Sequence, residues 1–343
     1  SALQRRSVVA CALRVGSPPQ PEPFALLARE LHCTEDELLT LTRAWLAEGK
    51  LREISAILEG QALDYDSALV AGRVAAHDLE RVANIVSTHP TVTHNYERTH
   101  DYNLWFTLAV PRSMGLEANL ELLAQQCGVP EFLPLRRTQT FKIGVSFDLL
   151  RKQSITGAPE LSAPQPLSHG PRERALLRAL QEPLPVERRP FAKLAESAGA
   201  SEDELLELGR NLLGGAMRRY VGTFHHRRLG VHGNGMIVWD APESEHARLG
   251  ALLAAAPEVS HCYARSSLPG FPYTLYSMIH GPTREAVREV AQRLSRETGM
   301  TRYLELFSTR EFKKCRLRYF LPELERWWDA ARSQAGVHAD NAN

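Results

Sequence analysis

The sequence repeats itself at a fixed distance, which limits the chain to folds that can be built twice. HNYER at 94–98 returns as HCYAR at 261–265, an offset of 167 residues around the skeleton His-x-Tyr-x-Arg. The same offset carries Phe24, Leu27, Thr34, Glu35, Asp36, Glu37, Leu38, Leu39, Leu41, Arg43 and Leu46 onto Phe191, Leu194, Ser201, Glu202, Asp203, Glu204, Leu205, Leu206, Leu208, Arg210 and Leu213. One register held over both segments marks a tandem duplication. A purely structural repeat keeps mainly its core positions; this one has also kept a His, a Tyr and an Arg.

At 343 residues the chain exceeds one ordinary core, and four modules suit its length. Lys and Arg number 41 against 40 Asp and Glu, so the basic bias that phosphate binding demands is absent. The five cysteines are widely spaced with no Cys-x-x-Cys pair, which supports neither a disulfide framework nor a zinc ribbon. No run of about 18 apolar residues predicts a membrane span, and the first residues do not read as a signal peptide. The expected location is the cytoplasm, with no membrane partner.

Residues 24–31 carry apolar groups at helical spacing, and Thr34 with Glu37 forms the pattern of a capping box ahead of a second helix over 35–48. With a helix near 3–15 these make a helix-turn-helix, repeated over 171–215 with Ser201 and Glu204 as the second box. DNA binding is the ordinary role of this motif, but these recognition helices begin with Glu35-Asp36-Glu37 and Glu202-Asp203-Glu204. A helix entering the major groove presents Arg, Lys, Asn or Gln there. Three consecutive acids oppose that use, so DNA is not the expected partner.

Each helix-turn-helix precedes a mixed segment. Strands are expected at 68–74, 91–97, 102–111 and 138–147, with helices at 77–88 and 116–127. The second copy reads as strands at 235–239, 258–264, 273–282 and 305–314, with helices at 243–256 and 283–298. The order β-α-β-β-α-β is the ferredoxin-like module. The expected fold class is therefore α+β: a tandem duplication, each half a winged helix-turn-helix followed by a ferredoxin-like βαββαβ domain. The boundaries fall at 1–62, 63–150, a Pro- and Ser-rich linker over 151–170, 171–228, 229–328 and a flexible tail over 329–343.

This arrangement resembles the leucine-responsive/asparagine-regulator family. Within it, HNYER followed by YNLWFTLAVP, VSHCYAR followed by PYTLYSMIHGP, and RLGVHGNGMIVWD at 228–240 resemble the signature blocks of the sirohaem (siroheme) decarboxylases. That family commonly uses two related subunits, and this chain looks like both fused. The resemblance implies removal of two acetate carboxyl groups from sirohaem as carbon dioxide. It places the product, didecarboxysirohaem, in d1 haem or alternative haem biosynthesis. No cofactor is implied, since the iron belongs to the substrate. An intrachain pseudo-dimer is expected, with further homo-oligomerisation open.

Losing carbon dioxide from a ring-attached acetate requires an electron sink, which the pyrrole supplies, and a proton for the developing carbanion. A positioned His contributes roughly 10²–10⁴-fold as that donor. A polycarboxylate substrate also calls for Arg. Strand alternation places His94, Tyr96 and Arg98 on one face, and likewise His261, Tyr263 and Arg265. The candidate catalytic residues are His94, His261, Tyr96 and Tyr263. Candidate substrate contacts are Arg98, Arg265, Tyr102 and Tyr273, together with His225, His226 and Arg228 ahead of the GVHGNG turn at 230–235. Glycines in that turn would let backbone approach a flat macrocycle. His232 is a candidate axial ligand to the substrate iron. His100 and His280 each occur in one copy, His280 falling opposite Ala109. Two other readings stay open: a DNA-binding regulator of the leucine-responsive type, and a non-catalytic tetrapyrrole carrier.

Overall fold

The computed structural model describes residues 2–143, 170–224 and 233–341. The expected linker falls outside these apart from Gly170, as do His225, His226, Arg228 and His232. The chain divides into two units that sort it by module type rather than by copy.

The first copy opens with α1 (Ala2–Val15), α2 (Pro23–Glu30) and α3 (Glu35–Ala47). Thr34 caps α3 through a complete capping box, its side chain accepting from the Glu37 amide while the Glu37 carboxylate accepts from the Thr34 amide. Next come β1 (Leu51–Leu58) and the mixed module: β2 (Tyr65–Gly72), α4 (Leu79–Thr88), β3 (Val92–Arg98), β4 (Leu104–Pro111), α5 (Leu116–Cys127), β5 (Leu133–Leu135) and β6 (Arg137–Lys142). The second copy runs α6 (Pro171–Gln181), α7 (Pro190–Ser197), α8 (Glu202–Leu212), β7 (Met217–Phe224), β8 (Gly233–Trp239), α9 (His246–Ala255), β9 (Val259–Arg265), β10 (Leu275–Gly281), α10 (Arg284–Thr298) and β11 (Tyr303–Lys314). A last helix, α11, spans Pro322–Asn341.

One unit holds both helix-turn-helix modules. β1 and β7, which the hydrophobic pattern did not predict, pair antiparallel, so each copy contributes one strand to a shared ribbon. Around it Phe24, Leu38, Trp45, Phe191, Leu205 and Tyr220 are buried. The second capping box is only half made. Ser201 accepts from the Glu204 amide, but the Glu204 carboxylate is drawn away to Arg172 at 2.7 Å.

The other unit holds both βαββαβ modules in one sheet of order β5-β2-β4-β3-β11-β8-β10-β9-β6. Each copy keeps the ferredoxin-like order, and each sends its last strand across to the other. In β11, Tyr303–Phe307 pairs with β8 of its own copy, and Ser308–Lys314 pairs with β3 of the first. The equivalent segment of the first copy splits at Arg136: β5 pairs with β2 at home, and β6 pairs with β9 of the second copy. Because β5 and β6 stand at opposite ends of the order and are joined by one residue, the order closes on itself. The last strand of the first copy was expected at 138–147. It begins earlier and divides its pairing, something a hydrophobic pattern does not encode.

The helices cover one face of this sheet. Ile237, Trp239, Leu253, Val259, Leu275 and Leu294 form a core beneath α9 and α10. On the opposite face Trp105, Tyr102, Leu135, Met236, Val238, Phe271, Tyr276 and Leu306, drawn from both copies, form a second core. The intrachain pseudo-dimer is thus built by shared strands and a shared core.

The expected flexible tail is instead helical through Asn341. Leu324 and Ala331 of α11 are buried, and Trp327 lies 4.1 Å from the His89 ring. Apolar anchors hold a segment whose polar composition reads as solvated. Gly233 and Gly235 do not present open backbone to a macrocycle. A Cβ at Gly233 would lie 2.3 Å from the Thr283 carbonyl oxygen, and one at Gly235 would lie 2.9 Å from Val287. These glycines let β8 approach α10 closely.

Candidate active site

β3 and β9 are central strands of the closed sheet, and alternation decides what each face carries. On β3, Asn95 turns toward the helical side, where its amide donates to the Ala83 carbonyl and lies 3.1 Å from the Ser87 hydroxyl. On β9, Cys262 does the same, its thiol 3.8 Å from the Gly250 carbonyl. His94, Tyr96 and Arg98 therefore share the opposite face, as do His261, Tyr263 and Arg265. The rows are physically continuous. The His94 and Tyr96 rings stack with centroids 6.4 Å apart, and Arg98 lies 5.5 Å from the Tyr96 ring. His261 and Tyr263 are 6.1 Å apart, with Arg265 at 5.2 Å from Tyr263.

The two arginines are held alike. Arg98 donates from Nη1 to the Leu306 carbonyl at 2.9 Å, and Arg265 donates from Nη1 to the Leu135 carbonyl at 3.0 Å. Each reaches the terminal strand contributed by the other copy. In both, Nε is buried without a hydrogen-bond partner, and among the described residues neither has a carboxylate partner. Burial depresses both guanidinium pKa values to about 10, so they stay charged near neutrality. A buried cation with no acid beside it is costly, and an incoming carboxylate relieves that cost.

The two histidines are partly buried, and burial is the main cause of their lowered pKa values. For His94 the Lys314 cation adds to the effect, against Glu311. For His261 the further depression comes from His280, His94 and Lys142, so the imidazoles of the two rows sense one another. Both rings are neutral near pH 7 in the free protein.

A hydroxyl sits on Nδ1 of each. Thr93 Oγ1 lies 3.1 Å from His94 Nδ1 and 3.0 Å from Thr107 Oγ1. Thr107 Oγ1 also accepts the His94 amide, which fixes the hydroxyl pair beside the ring. Where Thr93 donates to Nδ1, the ring carries its proton on Nε2. In the second copy Ser260 Oγ lies 2.9 Å from His261 Nδ1 and 2.6 Å from His280 Nε2.

The tyrosines have different neighbours. Tyr96 donates to the Glu311 carboxylate at 3.1 Å, and burial with that negative charge pushes its pKa up to about 12. Tyr263 lies 5.1 Å from Arg137 instead. Arg137, Glu311 and Lys314 were not found by motif, because the other copy supplies them through crossing strands. Thr93 and Ser260 were legible as hydroxyls repeated beside the motif histidine.

Tyr102 and Tyr273, expected as substrate contacts, lie in the core shared by the two copies. Both are buried around Phe271, at 5.8 and 4.9 Å between ring centroids, and the Tyr102 hydroxyl is used on the Pro269 carbonyl. They are packing residues of the shared core. His100 accepts the Tyr102 amide on Nδ1 and stacks on that ring. His225, His226, Arg228 and His232 lie outside the described residues. Among the described residues no group of His, Cys, Asp or Glu is clustered to hold a metal, and no helix is long and apolar enough to cross a membrane.

Comparison with known proteins gives a consistent result. The AsnC-like ligand binding domain matches residues 62–142 and 228–313, and the siroheme decarboxylase NirDL-like HTH domain matches 173–216. The chain is 41% identical over 312 residues to the siroheme decarboxylase of Hydrogenobacter thermophilus, covering 90% of this chain and 92% of that protein. It is 39% identical over 144 residues to the siroheme decarboxylase beta subunit of Methanosarcina barkeri, covering 95% of that protein but 42% of this chain. A single-copy subunit thus aligns with less than half of the duplicated chain. Among solved structures, the siroheme decarboxylase NirDL superposes with a TM-score of 0.81 at 35% identity, covering 97% of this chain and 99% of that one. The same protein in co-complex with an iron-uroporphyrin III analogue superposes equally well, covering 96% and 99%.

Proposed function

The chain belongs to the sirohaem decarboxylase family, with both related subunits fused, and we propose that its two His-x-Tyr-x-Arg faces are where sirohaem loses two acetate carboxyl groups. The activity is that of a carboxy-lyase. Each event breaks one C–C bond, releases carbon dioxide and consumes one proton, leaving a methyl. No electrons are gained or lost, so the protein requires no redox cofactor, and the iron enters and leaves with the substrate.

The observation that carries this reading is the pair of buried arginines without carboxylate partners, each aligned with a Tyr and a His on one strand face. Arg98 and Arg265 anchor substrate carboxylates by their unused N–H groups. Tyr96 and Tyr263 line the approach between anchor and proton donor. His94 and His261 present Nε2 to the carbon that loses its carboxylate. The negative charge of a bound polycarboxylate opposes the pKa depression that burial imposes on both histidines. The iron-uroporphyrin III analogue bound by the NirDL relative supports a tetrapyrrole of this class as ligand.

Anaerobic incubation with sirohaem, followed by mass analysis, tests the reading. Loss of two carbon dioxide masses is the expected result. A Soret shift with unchanged mass would instead establish a carrier.

A further inference from the structure

The two copies differ in what stands behind their histidines. In the first, the Nδ1 side of His94 leads to Thr93 and then Thr107, whose oxygen is already fixed by the His94 backbone amide. That chain contains no titratable group. In the second, the same direction leads from His261 to Ser260 and on to His280, a second imidazole, over contacts of 2.9 and 2.6 Å. His280 stands where the first copy has Ala109, and it is partly exposed.

We propose that His280 and Ser260 form a proton relay that reloads His261, making the second-copy face the one that sustains repeated decarboxylation. This rests on His261 being the proton donor. A neutral imidazole cannot give up its Nε2 proton alone, because imidazolate is far too basic. It can do so while a proton arrives at Nδ1. As the C–C bond to the carboxylate breaks and carbon dioxide leaves, His261 Nε2–H passes its proton to the carbanion. The Ser260 hydroxyl passes its proton to His261 Nδ1, and His280 Nε2–H passes its own to Ser260 Oγ. His280 Nδ1 then takes a proton from solvent. Each link transfers one proton, the net change is one proton from water into the new methyl, and both rings are left protonated on Nδ1. Once the product leaves, His261 Nε2 takes a solvent proton while the links shift back and His280 Nδ1 releases one, which restores the starting tautomers.

The electrostatics agree with neutral resting rings. Burial and then Lys314 of β11 lower the His280 pKa; burial and then His280, His94 of β3 and Lys142 of β6 lower that of His261. The nearest acid along the strand, Glu258, is engaged by Arg293 at 2.8 Å, and only its backbone carbonyl meets the His280 amide. Among the described residues no carboxylate is poised to charge the pair, so the relay runs between neutral rings.

The test compares His280→Ala, Ser260→Ala, Ser260→Thr and His261→Ala in the full chain with sirohaem under anaerobic conditions. His280→Ala and Ser260→Ala are expected to lower turnover near pH 7.5 by roughly 10²-fold and to displace the pH–rate profile toward acid. Sirohaem binding, followed by the Soret band, should stay within about twofold of the parent. Imidazole should partly rescue His280→Ala, and Ser260→Thr, which keeps the hydroxyl found in the first copy, should retain activity. Parental rate and pH profile in His280→Ala, with His261→Ala inactive, would overturn the relay and leave the donor assignment standing. Parental activity in His261→Ala would overturn both.

Discussion

Arg265 donates to the Leu135 carbonyl at 3.0 Å, and the two residues belong to different copies of the repeat. Arg98 and Leu306 repeat the contact in the opposite sense at 2.9 Å. The crossing strands therefore help to position the two proposed substrate anchors, as well as holding the copies together. Replacing Arg98 or Arg265 with Lys keeps the charge but removes the planar fork that reaches a carbonyl and a carboxylate together. Losing one charge-assisted contact, about 1.5–3 kcal/mol, should weaken sirohaem binding roughly 10–100-fold in Soret titrations. Parental affinity in both variants would remove the anchor role.

His89 sets a pH dependence of stability. It is fully buried against Trp327, and its Nε2 lies 3.2 Å from the Asn119 Oδ1 while its Nδ1 accepts the Thr91 amide. Burial lowers its pKa from 6.5 to about 4. The unfolded chain takes up a proton below about 6.5 that the folded chain refuses, so stability present above that pH is lost as pH falls toward 4. The full shift corresponds to an order of 3 kcal/mol. Urea midpoints measured from pH 7 to pH 4.5 should fall, and fall less in His89→Gln. Equal slopes in parent and variant would contradict this.

The helix-turn-helix modules should not bind DNA. Glu35 and Asp36 at the start of α3 are both paired with Arg188, each at 2.7 Å, and the one basic residue of that helix, Arg43, donates to the Val186 carbonyl. At the start of α8, Glu202 pairs with Arg189 and Glu204 with Arg172. The ends that would enter a groove are acidic and engaged within the fold. Electrophoretic mobility with random and upstream duplexes at low salt should show no shift, and a tight complex would refute the claim.

Phe271 follows the Leu268-Pro269-Gly270 insertion of the second copy and packs against Tyr102 and Trp105 of the first. Phe271→Ala should lower stability by roughly 3–5 kcal/mol, read as a reduced thermal midpoint. A change below about 1 kcal/mol would mean that the shared core does not bind the copies together.

Local pattern located most of the helices to within a residue or two, as with 116–127 for α5, because capping residues and apolar spacing are local signals. Alternation also placed His94, Tyr96 and Arg98 on one face. What stayed hidden was pairing between copies. LREISAIL becomes a ribbon strand only because β7 lies beside it, and Arg137 meets Tyr263 only because β6 leaves its own module. Tyr102 and Tyr273 stand near the motif in sequence but turn into the core formed by both copies. The α11 helix is anchored by Leu324, Trp327 and Ala331, whose partners lie in remote segments.

The most direct measurement is the product mass after anaerobic incubation of sirohaem with His94→Ala, His261→Ala and the double variant, each first shown by Soret titration to bind. The double variant is expected to bind sirohaem and return it at unchanged mass. His261→Ala alone should slow turnover by roughly two to four orders of magnitude, with a much smaller loss of binding. Fully decarboxylated product from the double variant at the parental rate would show that neither histidine is the proton donor.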